Sequence, residues 1–418
     1  MLIRLAWRNL WRHTRRTLIT LSSIALGFGL AVLSIGFGDS SHNSMIRNAI
    51  QYGEGHITLQ PEGYLDAPAN HHYIADSRPL SALLSSLPIR GEIEPRISLQ
   101  VLATTANHAV GAALEGAIMA QDSKAEQLRP RLIAGEWIAP DDPLGLLIGK
   151  ELARSLKVGV GSKIVLMAGT TEGETQAHLG RVRGIFDAPI EALDRYLLLS
   201  SLHFARRFLQ GEGADPAHQP LTRYAIFLED ERQTAYWKPI IQQQLPHQTA
   251  ATPPIVVLDW QEMMPQLVQF ILLDDAGNYL FLSLIMVLVV FGIVNTVLMS
   301  VLERTREFGL LRALGLGRSE LLLLVFYESL LLGTVAVCAG WVVGGGLHLW
   351  FSHYGIDLSS LGISIELVGT VMDSTLYTEL SWQRIIQLTL IVFGATLFSG
   401  IYPAIKATRV LPIEALRS

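Results

Sequence analysis

A short polar stretch separates two long apolar runs, and it reads Glu303-Arg304-Thr305-Arg306-Glu307-Phe308-Gly309-Leu310-Leu311-Arg312-Ala313-Leu314-Gly315. Tyr279 to Leu302 precedes it, and Leu321 to Phe351 follows it. Both runs reach the roughly 20 residues that an α-helix needs to cross a bilayer. A stretch this charged between two spanning runs is therefore expected to lie at a membrane surface.

Two further apolar runs, Thr17 to Gly38 and Ile385 to Tyr402, bring the number of predicted spans to four. The run from Leu321 to Phe351 covers about 46 Å at 1.5 Å per residue, so part of it is expected to lie along or beyond the surface. The predicted segments are 1–16 as an interfacial helix, 17–38 as the first span, 39–278 as an external domain with stalk helices, 279–302 as the second span, 303–320 as a cytoplasmic segment, 321–351 as the third span, 352–384 as an outer loop, 385–402 as the fourth span and 403–418 as a cytoplasmic tail.

Basic residues flank the predicted spans on one side. Lys and Arg in short segments beside a span are retained in the cytoplasm. With four spans, the N-terminal segment, the 303–320 segment and the C-terminal tail share that side, so both termini are expected in the cytoplasm. The residues are Arg4, Arg8, Arg12, Arg15, Arg16, Arg304, Arg306, Arg312, Arg318, Lys406, Arg409 and Arg417.

The N-terminal segment has a competing interpretation as a cleaved signal peptide. Its apolar stretch is long for that purpose, and Gly36-Phe37-Gly38 offers glycines where alanines are usual. Arg4, Arg8 and Arg12 instead recur at helical spacing beside an apolar face, a pattern typical of an interfacial helix. The apolar face consists of Ile3, Trp7, Leu10 and Trp11.

The segment between the first two spans mixes strand and helix patterns. At about 240 residues, it is large enough to form a core of its own. Since Cys338 is the single cysteine, an intramolecular disulfide is excluded. Apolar helical patterns at Ser40 to Tyr52 and Trp260 to Leu273 suit either a stalk or ordinary connectors. Strands are predicted at 55–60, 163–167, 181–186 and 224–228, helices at 150–156, 201–209 and 230–244, and loops at 211–220 and 248–254. The fold class is an α+β membrane protein with four transmembrane helices and a large mixed α/β extracytoplasmic domain inserted between helices 1 and 2.

No stretch of the chain has the pattern of an active site. Gly145-Leu146-Leu147-Ile148-Gly149-Lys150-Glu151 lacks both the spacing of a phosphate loop and its Ser or Thr after the Lys. The histidines, among them His42, His56, His71, His72 and His108, lack metal-ligand spacing. The pairs Asp141-Asp142 and Asp274-Asp275 are interpreted as loop and helix-cap residues. We therefore predict that the chain is not an enzyme and binds no metal or cofactor.

The 303–315 stretch resembles the E-R-x-R-E-x-G-x-L-R-A-L-G signature of the type VII ABC permeases, the FtsX-like, MacB-like and LolC/LolE-like family. Glu328-Ser329 follows it, as in that family. Tyr402-Pro403-Ala404-Ile405-Lys406-Ala407 and Leu411-Pro412-Ile413-Glu414-Ala415-Leu416-Arg417 are similar to the closing motifs of these permeases. Ile148 to Ala153 together with Val158 to Lys163 resembles their periplasmic core domain.

This resemblance implies a bacterial inner-membrane subunit that works with a separate ATP-binding protein, which supplies ATP and Mg²⁺, and with a second permease copy or homologue. The 303–320 segment is then the coupling helix. Its arginines would meet acidic residues of the ATPase, and its apolar residues would enter a groove, with Gly309 and Gly315 permitting close approach. The implied coupling residues are Glu303, Arg304, Arg306, Glu307, Phe308, Gly309, Leu311, Arg312, Ala313, Leu314 and Gly315, and Leu310 belongs to the apolar face of the segment. The alternative is a solvated basic loop.

Two features of the third span are also informative. Glu328 is an intramembrane carboxylate, which is costly unless paired or hydrated, so it either reaches the interface or takes part in helix packing and coupling. Gly340 and Gly344 form a small-residue face suited to close helix contact. Whether that face meets a second permease or the chain's own helices is left open by the sequence.

The predicted function is ATP-driven extraction or export of a lipophilic substrate, a lipoprotein or a lipid, by motion transmitted from the coupling helix to the external domain. Export of a periplasmic peptide or drug is the first alternative. A transmembrane signalling subunit that transports nothing and regulates an envelope enzyme is the second. Membrane lipid and a periplasmic protein are further predicted partners, and nucleic acid is not.

Overall fold

The computed structural model describes residues 2–12, 14–66, 68–139, 142–169, 175–209, 219–245, 254–357, 366–367, 370–371 and 375–408. The α-helices are α1 Leu2–Leu10, α2 Thr14–Tyr52, α3 Arg78–Ser86, α4 Ser123–Leu128, α5 Lys150–Leu156, α6 Glu191–Tyr196, α7 Leu202–Arg206, α8 Thr234–Gln244, α9 Trp260–Met263, α10 Pro265–Glu303, α11 Thr305–Ala313, α12 Arg318–Tyr354 and α13 Trp382–Thr408. The strands are β1 Ile57–Pro61, β2 Gly91–Thr104, β3 Ala109–Ala117, β4 Leu132–Gly135, β5 Gly145–Gly149, β6 Lys163–Gly169, β7 Thr175–Phe186, β8 Leu197–Ser201, β9 Arg223–Leu228, β10 Ile255–Asp259, β11 Ile356–Asp357, β12 Glu366–Leu367, β13 Thr370–Val371 and β14 Thr375–Leu376.

The chain forms two compact units. The helical bundle comprises Met1–Ser44, Ile271–Ile363 and Asp373–Ser418, and the inserted domain comprises Met45–Phe270 with Ser364–Met372. Among the described residues, four helices, α2, α10, α12 and α13, are long and apolar enough to cross a membrane. These are the predicted transmembrane helices, and the mixed α/β domain lies between the first two of them.

The transmembrane helices are longer than the apolar runs that predicted them. α2 continues to Tyr52 because residues 39–52 contain neither Gly nor Pro, and the helix stops where Gly53 follows. α12 extends from Arg318 to Tyr354, beyond both ends of the predicted third span. The boundaries from hydropathy therefore mark the apolar part of each helix and not the ends of its backbone hydrogen bonding.

Small residues allow the helices of the bundle to approach each other closely where they cross. A Cβ placed on Gly344 would lie 2.8 Å from the Cα of Gly29 in α2, and one on Gly340 would lie 2.4 Å from a ring carbon of Phe28. α12 meets α13 in the same manner, since a Cβ on Gly400 would lie 2.5 Å from the Cβ of Ser329. The small-residue face of α12 thus packs on α2 of its own chain.

The inserted domain is built on one ten-stranded sheet with the order β10-β1-β9-β2-β3-β8-β5-β7-β4, in which β6 pairs with β2 and β7. The strands predicted at 55–60, 163–167, 181–186 and 224–228 are confirmed as β1, β6, β7 and β9, and the helix at 150–156 as α5. The helices predicted at 201–209 and 230–244 are shorter, because α7 ends at Arg206 and a 3₁₀ turn, Glu231–Gln233, precedes α8.

The Met45–Phe270 part of the inserted domain is joined to α2 and to α10 beside two paired strands. β1 follows α2, and β10 precedes α9 and α10. The two strands are antiparallel neighbours, with Ile57 opposite Asp259 and Leu59 opposite Val257. The chain therefore enters and leaves the sheet on adjacent strands.

The second predicted stalk helix, Trp260 to Leu273, is interrupted. α9 ends at Met263, Met264 adopts φ −128° and ψ 61°, and α10 starts at Pro265. Proline disfavours helical backbone in the residue before it and is well accommodated in the first turn of a helix, so it separates the two helices here.

The interpretation of Asp274 and Asp275 as loop or cap residues is wrong, because both lie inside α10. Their charges are accepted within the helix since His42 and Arg384 approach them from α2 and α13. Asp142 is a loop residue as predicted, and it pairs with Arg183 at 2.5 Å. Asp141, the closing motif after Thr408, and most of the predicted loops at 211–220 and 248–254 lie outside the described residues.

Candidate functional site

The polar segment forms a separate short helix between α10 and α12. Arg304 leaves helical geometry at φ −105° and ψ 15°, which ends α10 and starts α11. At the far end Gly315 has φ +101°, a conformation that favours glycine, and the Leu316 amide donates to the Leu311 carbonyl at 3.0 Å. Glycine at this position therefore allows the chain to reverse into α12 at once.

Arg304 is the centre of a buried network at this junction. Its side chain is 8% exposed and donates to Glu307 at 3.0 Å and to Glu328 of α12 at 3.4 Å. Its guanidinium also lies 5.2 Å from the ring centroid of Phe308. One arginine thereby joins the end of α10, the first turn of α11 and the first half of α12.

The same segment is tied to the N-terminal helices. Arg12, between α1 and α2, donates to Glu307 at 2.6 Å, and Arg16 of α2 donates to Glu303 at 2.9 Å. Burial acts to raise the pKa of Glu307, but the hydrogen bonds from Arg304 and Arg12 outweigh it and hold that pKa below its usual value. Glu307 thus stays ionised and is shared by two arginines. We call Arg12, Arg16, Glu303, Arg304, Glu307 and Glu328 the Arg304 network.

The predicted coupling residues divide into an inward and an outward group. Phe308 is 1% exposed and Gly309 is also buried, so neither offers a surface to a partner. Leu310 is 54% exposed and Leu314 is 77% exposed, one helical turn apart. Exposed with them are Arg306, Ala313 and Gly315, whereas Leu311 and Arg312 are half-buried.

Sequence reasoning did not find Arg12 and Arg16 as partners of the polar segment, although it placed them on the same side. Pairing Arg12 with Glu307 joins residues 295 positions apart, and no local pattern reports such a contact. The available signal was charge: an N-terminal segment with basic residues and no acid shares one side with a segment containing Glu303 and Glu307.

A second network joins the helices at the opposite end of the bundle. Arg384 of α13 donates to Asp39 of α2 at 3.2 Å and to Asp275 of α10 at 3.3 Å. His42 lies beside it, with Nε2 2.9 Å from an oxygen of Asp274. We call these residues the Arg384 network. Together with the Arg304 network, it ties α2 to its neighbours near Arg16 and again near Asp39 and His42.

The inserted domain contains a buried charge cluster beside the end of α2. Arg96 is 1% exposed, and it donates to Glu94 at 2.7 Å, to Asp122 at 2.8 Å and to the Gly53 carbonyl at 2.6 Å. Glu54 pairs with Arg223 at 2.9 Å. Since Gly53 and Glu54 form the turn between α2 and β1, these contacts fix that turn to the sheet. The Arg96 cluster consists of Glu54, Glu94, Arg96, Glu115, Asp122, Lys124 and Arg223.

The charges within the Arg96 cluster are unequal, with four carboxylates against three cations. Burial raises the pKa of Glu94 to about 7, because the attraction of Arg96 does not outweigh desolvation and the repulsion of Asp122. Glu115 behaves in the opposite way: burial acts against ionisation, but Lys124 and Arg223 lower its pKa to about 2. Glu94 is therefore the carboxyl of the cluster that takes up a proton most readily, and its protonation offsets the excess negative charge.

The other connection of the inserted domain is fixed by a capping box. The Glu262 amide donates to the Asp259 side chain at 3.0 Å, and the Asp259 amide donates to the Glu262 side chain at 3.2 Å. Lys238 of α8 contacts both carboxylates, at 2.9 Å and 2.6 Å. The segment between β10 and α10 is thereby attached to α8. In the part of the chain that the structure describes, no group of three or more His, Cys, Asp or Glu could hold a metal ion.

Comparison with known proteins agrees with this architecture. The family model of the FtsX-like permease C-terminal region matches residues 279–412, and that of the MacB-like periplasmic core domain matches residues 17–235. The lipoprotein-releasing system transmembrane protein LolC of Xylella fastidiosa is 23% identical over 410 residues, covering 96% of this chain and 93% of the relative. The macrolide export ATP-binding/permease protein MacB of Bdellovibrio bacteriovorus is 39% identical over 127 residues, covering 30% of this chain and 16% of the relative.

A solved structure, the periplasmic region of MacB from Actinobacillus actinomycetemcomitans, covers 54% of this chain and 97% of its own at 13% identity, with a TM-score of 0.34.

The chain has four transmembrane helices, a short polar helix between the second and third, and a mixed domain inserted after the first. Together with the family matches and the relatives, this architecture makes it a membrane permease subunit of the ABC transporter class. The chain belongs to the FtsX-like permease family and carries a MacB-like periplasmic core domain.

Proposed function

We propose that a separate ATP-binding protein docks on α11 and drives this permease, and that a second permease copy or homologue completes the membrane part. The supporting observation is that α11 exposes Leu310 and Leu314 while Glu307, on the same short helix, is held by Arg12 and Arg304. Force applied to the exposed residues is thereby passed to the junction of α1 and α2 and, through Arg304, to α12. ATP and Mg²⁺ are bound by the partner in this proposal, and no cofactor by this chain.

In this proposal the chain lies in a bacterial inner membrane with α11 and both termini in the cytoplasm and the inserted domain in the periplasm. The basic residues around α1 and α11 support this orientation. α2 is a continuous helix of 39 residues, long enough to carry a displacement from the Arg304 network to the turn that Arg96 holds. The transmitted motion then acts on the β1–β10 pair.

The substrate that we propose is lipophilic, a lipoprotein or a lipid taken from the membrane. The name of the LolC relative, which aligns along nearly the whole chain, supports this assignment. Export of a drug or peptide is the second candidate, supported by the name of the MacB relative, which matches a shorter region at higher identity. A periplasmic partner protein that accepts the cargo belongs to the first candidate.

Affinity purification of the full chain in mild detergent, followed by an ATPase assay, tests the docking. We expect a stoichiometric ATP-binding subunit, and we expect its recovery to fall at least tenfold for Leu314→Glu. Ser319→Glu is the matched control, because it adds the same charge at an exposed position at the start of α12. Recovery of a lone chain, or equal loss in the two variants, would reject docking on α11.

Reconstitution into proteoliposomes with the co-purified ATPase separates the substrate candidates. ATP-dependent release of a membrane-anchored lipoprotein into the aqueous phase supports extraction, and ATP-dependent movement of a drug or peptide supports export. ATP hydrolysis without movement of either favours a signalling subunit.

A further inference from the structure

A cavity of about 520 Å³ lies in the inserted domain, and it has no role in the proposed coupling. Its size falls within the roughly 300 to 1,000 Å³ typical of small-molecule sites. Tyr52 in the last turn of α2 and Leu267 in the first turn of α10 both line it. An occupant would therefore touch the helices at both ends of the Met45–Phe270 segment.

The lining is mainly apolar and adaptable. Leu65, Ile190 and Leu193 contribute branched aliphatic groups, and Met263 and Met264 contribute flexible thioethers. Adjacent methionines suit a ligand of variable shape, because the side chain is unbranched and polarizable. Leu65 is 40% exposed, although leucine gains from burial, so a covering ligand would stabilise this position.

One charged group accompanies this apolar surface. Among the described lining residues Asp66 alone is acidic or basic, and its carboxyl group makes no hydrogen bond or ion pair with any described residue. A carboxylate at the margin of an apolar cavity favours a cation and disfavours an anion. The side-chain amide of Gln266 provides a further polar contact.

We propose that this cavity binds a small cationic amphiphile, a single apolar chain bearing an ammonium group, with the chain between Tyr52, Leu193 and Met264 and the ammonium beside Asp66. The apolar lining accounts for the chain, and the unpaired carboxylate accounts for the charge. Since the site is lined by both α2 and α10, its shape depends on their relative position. The site is independent of an ATPase, so its existence and the proposed coupling can fail separately.

The test uses the full chain in nanodiscs of phosphatidylcholine, without an ATPase and without nucleotide. A single cysteine is introduced by Leu65→Cys in a Cys338→Ala background and labelled with an environment-sensitive fluorophore. Dodecylamine is titrated as the probe, with dodecanol and dodecanoate as neutral and anionic ligands of the same chain length. A label at Tyr236→Cys, 62% exposed on α8 and outside the cavity, reports effects of the bilayer alone.

We expect saturable binding of dodecylamine at the position 65 label and a much weaker response at position 236. Asp66→Asn should weaken dodecylamine about two- to fivefold, as for the loss of one exposed ion pair, and Asp66→Lys should reverse the preference towards dodecanoate. Glu62→Gln is the matched control, since it removes an exposed carboxylate from the same turn and does not line the cavity. Ala192→Trp, which fills the cavity from an exposed position, should abolish the saturable response.

Three results would overturn the proposal. Equal responses at positions 65 and 236 would mean bilayer partitioning only. Equal affinity for the cationic, neutral and anionic ligands would show that the charge of Asp66 does not contribute to binding. Loss of dodecylamine binding when phosphatidylethanolamine replaces phosphatidylcholine would assign the cavity to a membrane lipid instead of a free amphiphile.

Discussion

Arg304 and Glu328 form a buried ion pair, with Nη1 3.4 Å from Oε2, that joins the start of α11 to α12. A carboxylate in a membrane-spanning helix is costly unless it is paired, and Arg304 supplies the pair from within the same chain. Glu328 is therefore part of the connection between the polar segment and the bundle.

Replacing one member of this pair should destabilise the bundle more than replacing both members by apolar side chains. Arg304→Met leaves Glu328 buried without its partner, which costs about 3–5 kcal/mol for a buried pair. The double variant with Glu328→Leu should recover a large part of that loss. Thermal unfolding of the four members of this double-mutant cycle in detergent measures both effects. Additive losses in the double variant would show that the two side chains do not interact.

Removal of the Arg12–Glu307 contact should impair transmission while leaving stability nearly unchanged. Both side chains are about half exposed, so the pair contributes no more than about 1 kcal/mol. We expect Arg12→Ala to reduce substrate-dependent stimulation of ATP hydrolysis severalfold, with a melting temperature close to wild type. Arg8→Ala is the control, since it removes an exposed arginine from α1. The same stimulation in both variants would exclude a role for this contact.

An added methyl group should disrupt the crossing of α2 and α12 at Gly344 but not at Gly346. Gly344→Ala places a Cβ 2.8 Å from the Gly29 backbone, which cannot move aside without displacing α2. We expect a loss of about 1–3 kcal/mol, as for overpacked cores. At Gly346 nothing lies within 4 Å of an added Cβ, so Gly346→Ala should be neutral or stabilising by up to about 1 kcal/mol. Equal melting temperatures for the two variants would contradict this packing.

The Arg96 cluster should make the inserted domain less stable as pH rises through neutrality. Burial raises the pKa of Glu94 to about 7, above its value in an unfolded chain, so the folded state binds the extra proton between about pH 4.5 and 7. The resulting stabilisation is present at low pH and is lost as pH rises through 7. Glu94→Gln should therefore match wild type at pH 5 and be the more stable protein at pH 8.

Unfolding at a series of pH values measures this difference. Glu92→Gln, an exposed carboxylate two residues away on β2, should leave the pH profile unchanged. Glu115 has its pKa lowered to about 2, so its own contribution is lost only as pH falls from about 4.5 towards 2, outside the range of the comparison. Parallel profiles for wild type and Glu94→Gln between pH 5 and 8 would disprove the assignment.

Elements with a local signal were predictable from sequence. β6 alternates Ile164, Leu166 and Ala168 towards the core with exposed or half-exposed neighbours, and period-two alternation identifies such a strand without its neighbours. The break at Pro265 was missed because the apolar pattern continues on both sides of it. Asp274 and Asp275 were misassigned because their compensation by His42 and Arg384 depends on residues more than 100 positions away.

The sequence could predict only part of the candidate site, again because tertiary contacts decide the rest. The 303–315 motif could be located, but which of its residues face outward could not, since Phe308 and Leu310 are both large and apolar. Packing decides between them: Phe308 enters the bundle core and Leu310 does not.

By itself the sequence determined the number of transmembrane helices, the position of the inserted domain and the location of the polar helix, because each depends on hydrophobicity and backbone propensity over neighbouring residues. Only the tertiary structure decided which charges meet. Arg12 reaches Glu307 across 295 positions, and Arg384 reaches Asp39 across 345. Such pairs form where helices pack side by side, and the distance between two side chains in a folded chain is set by that packing and not by their separation in sequence.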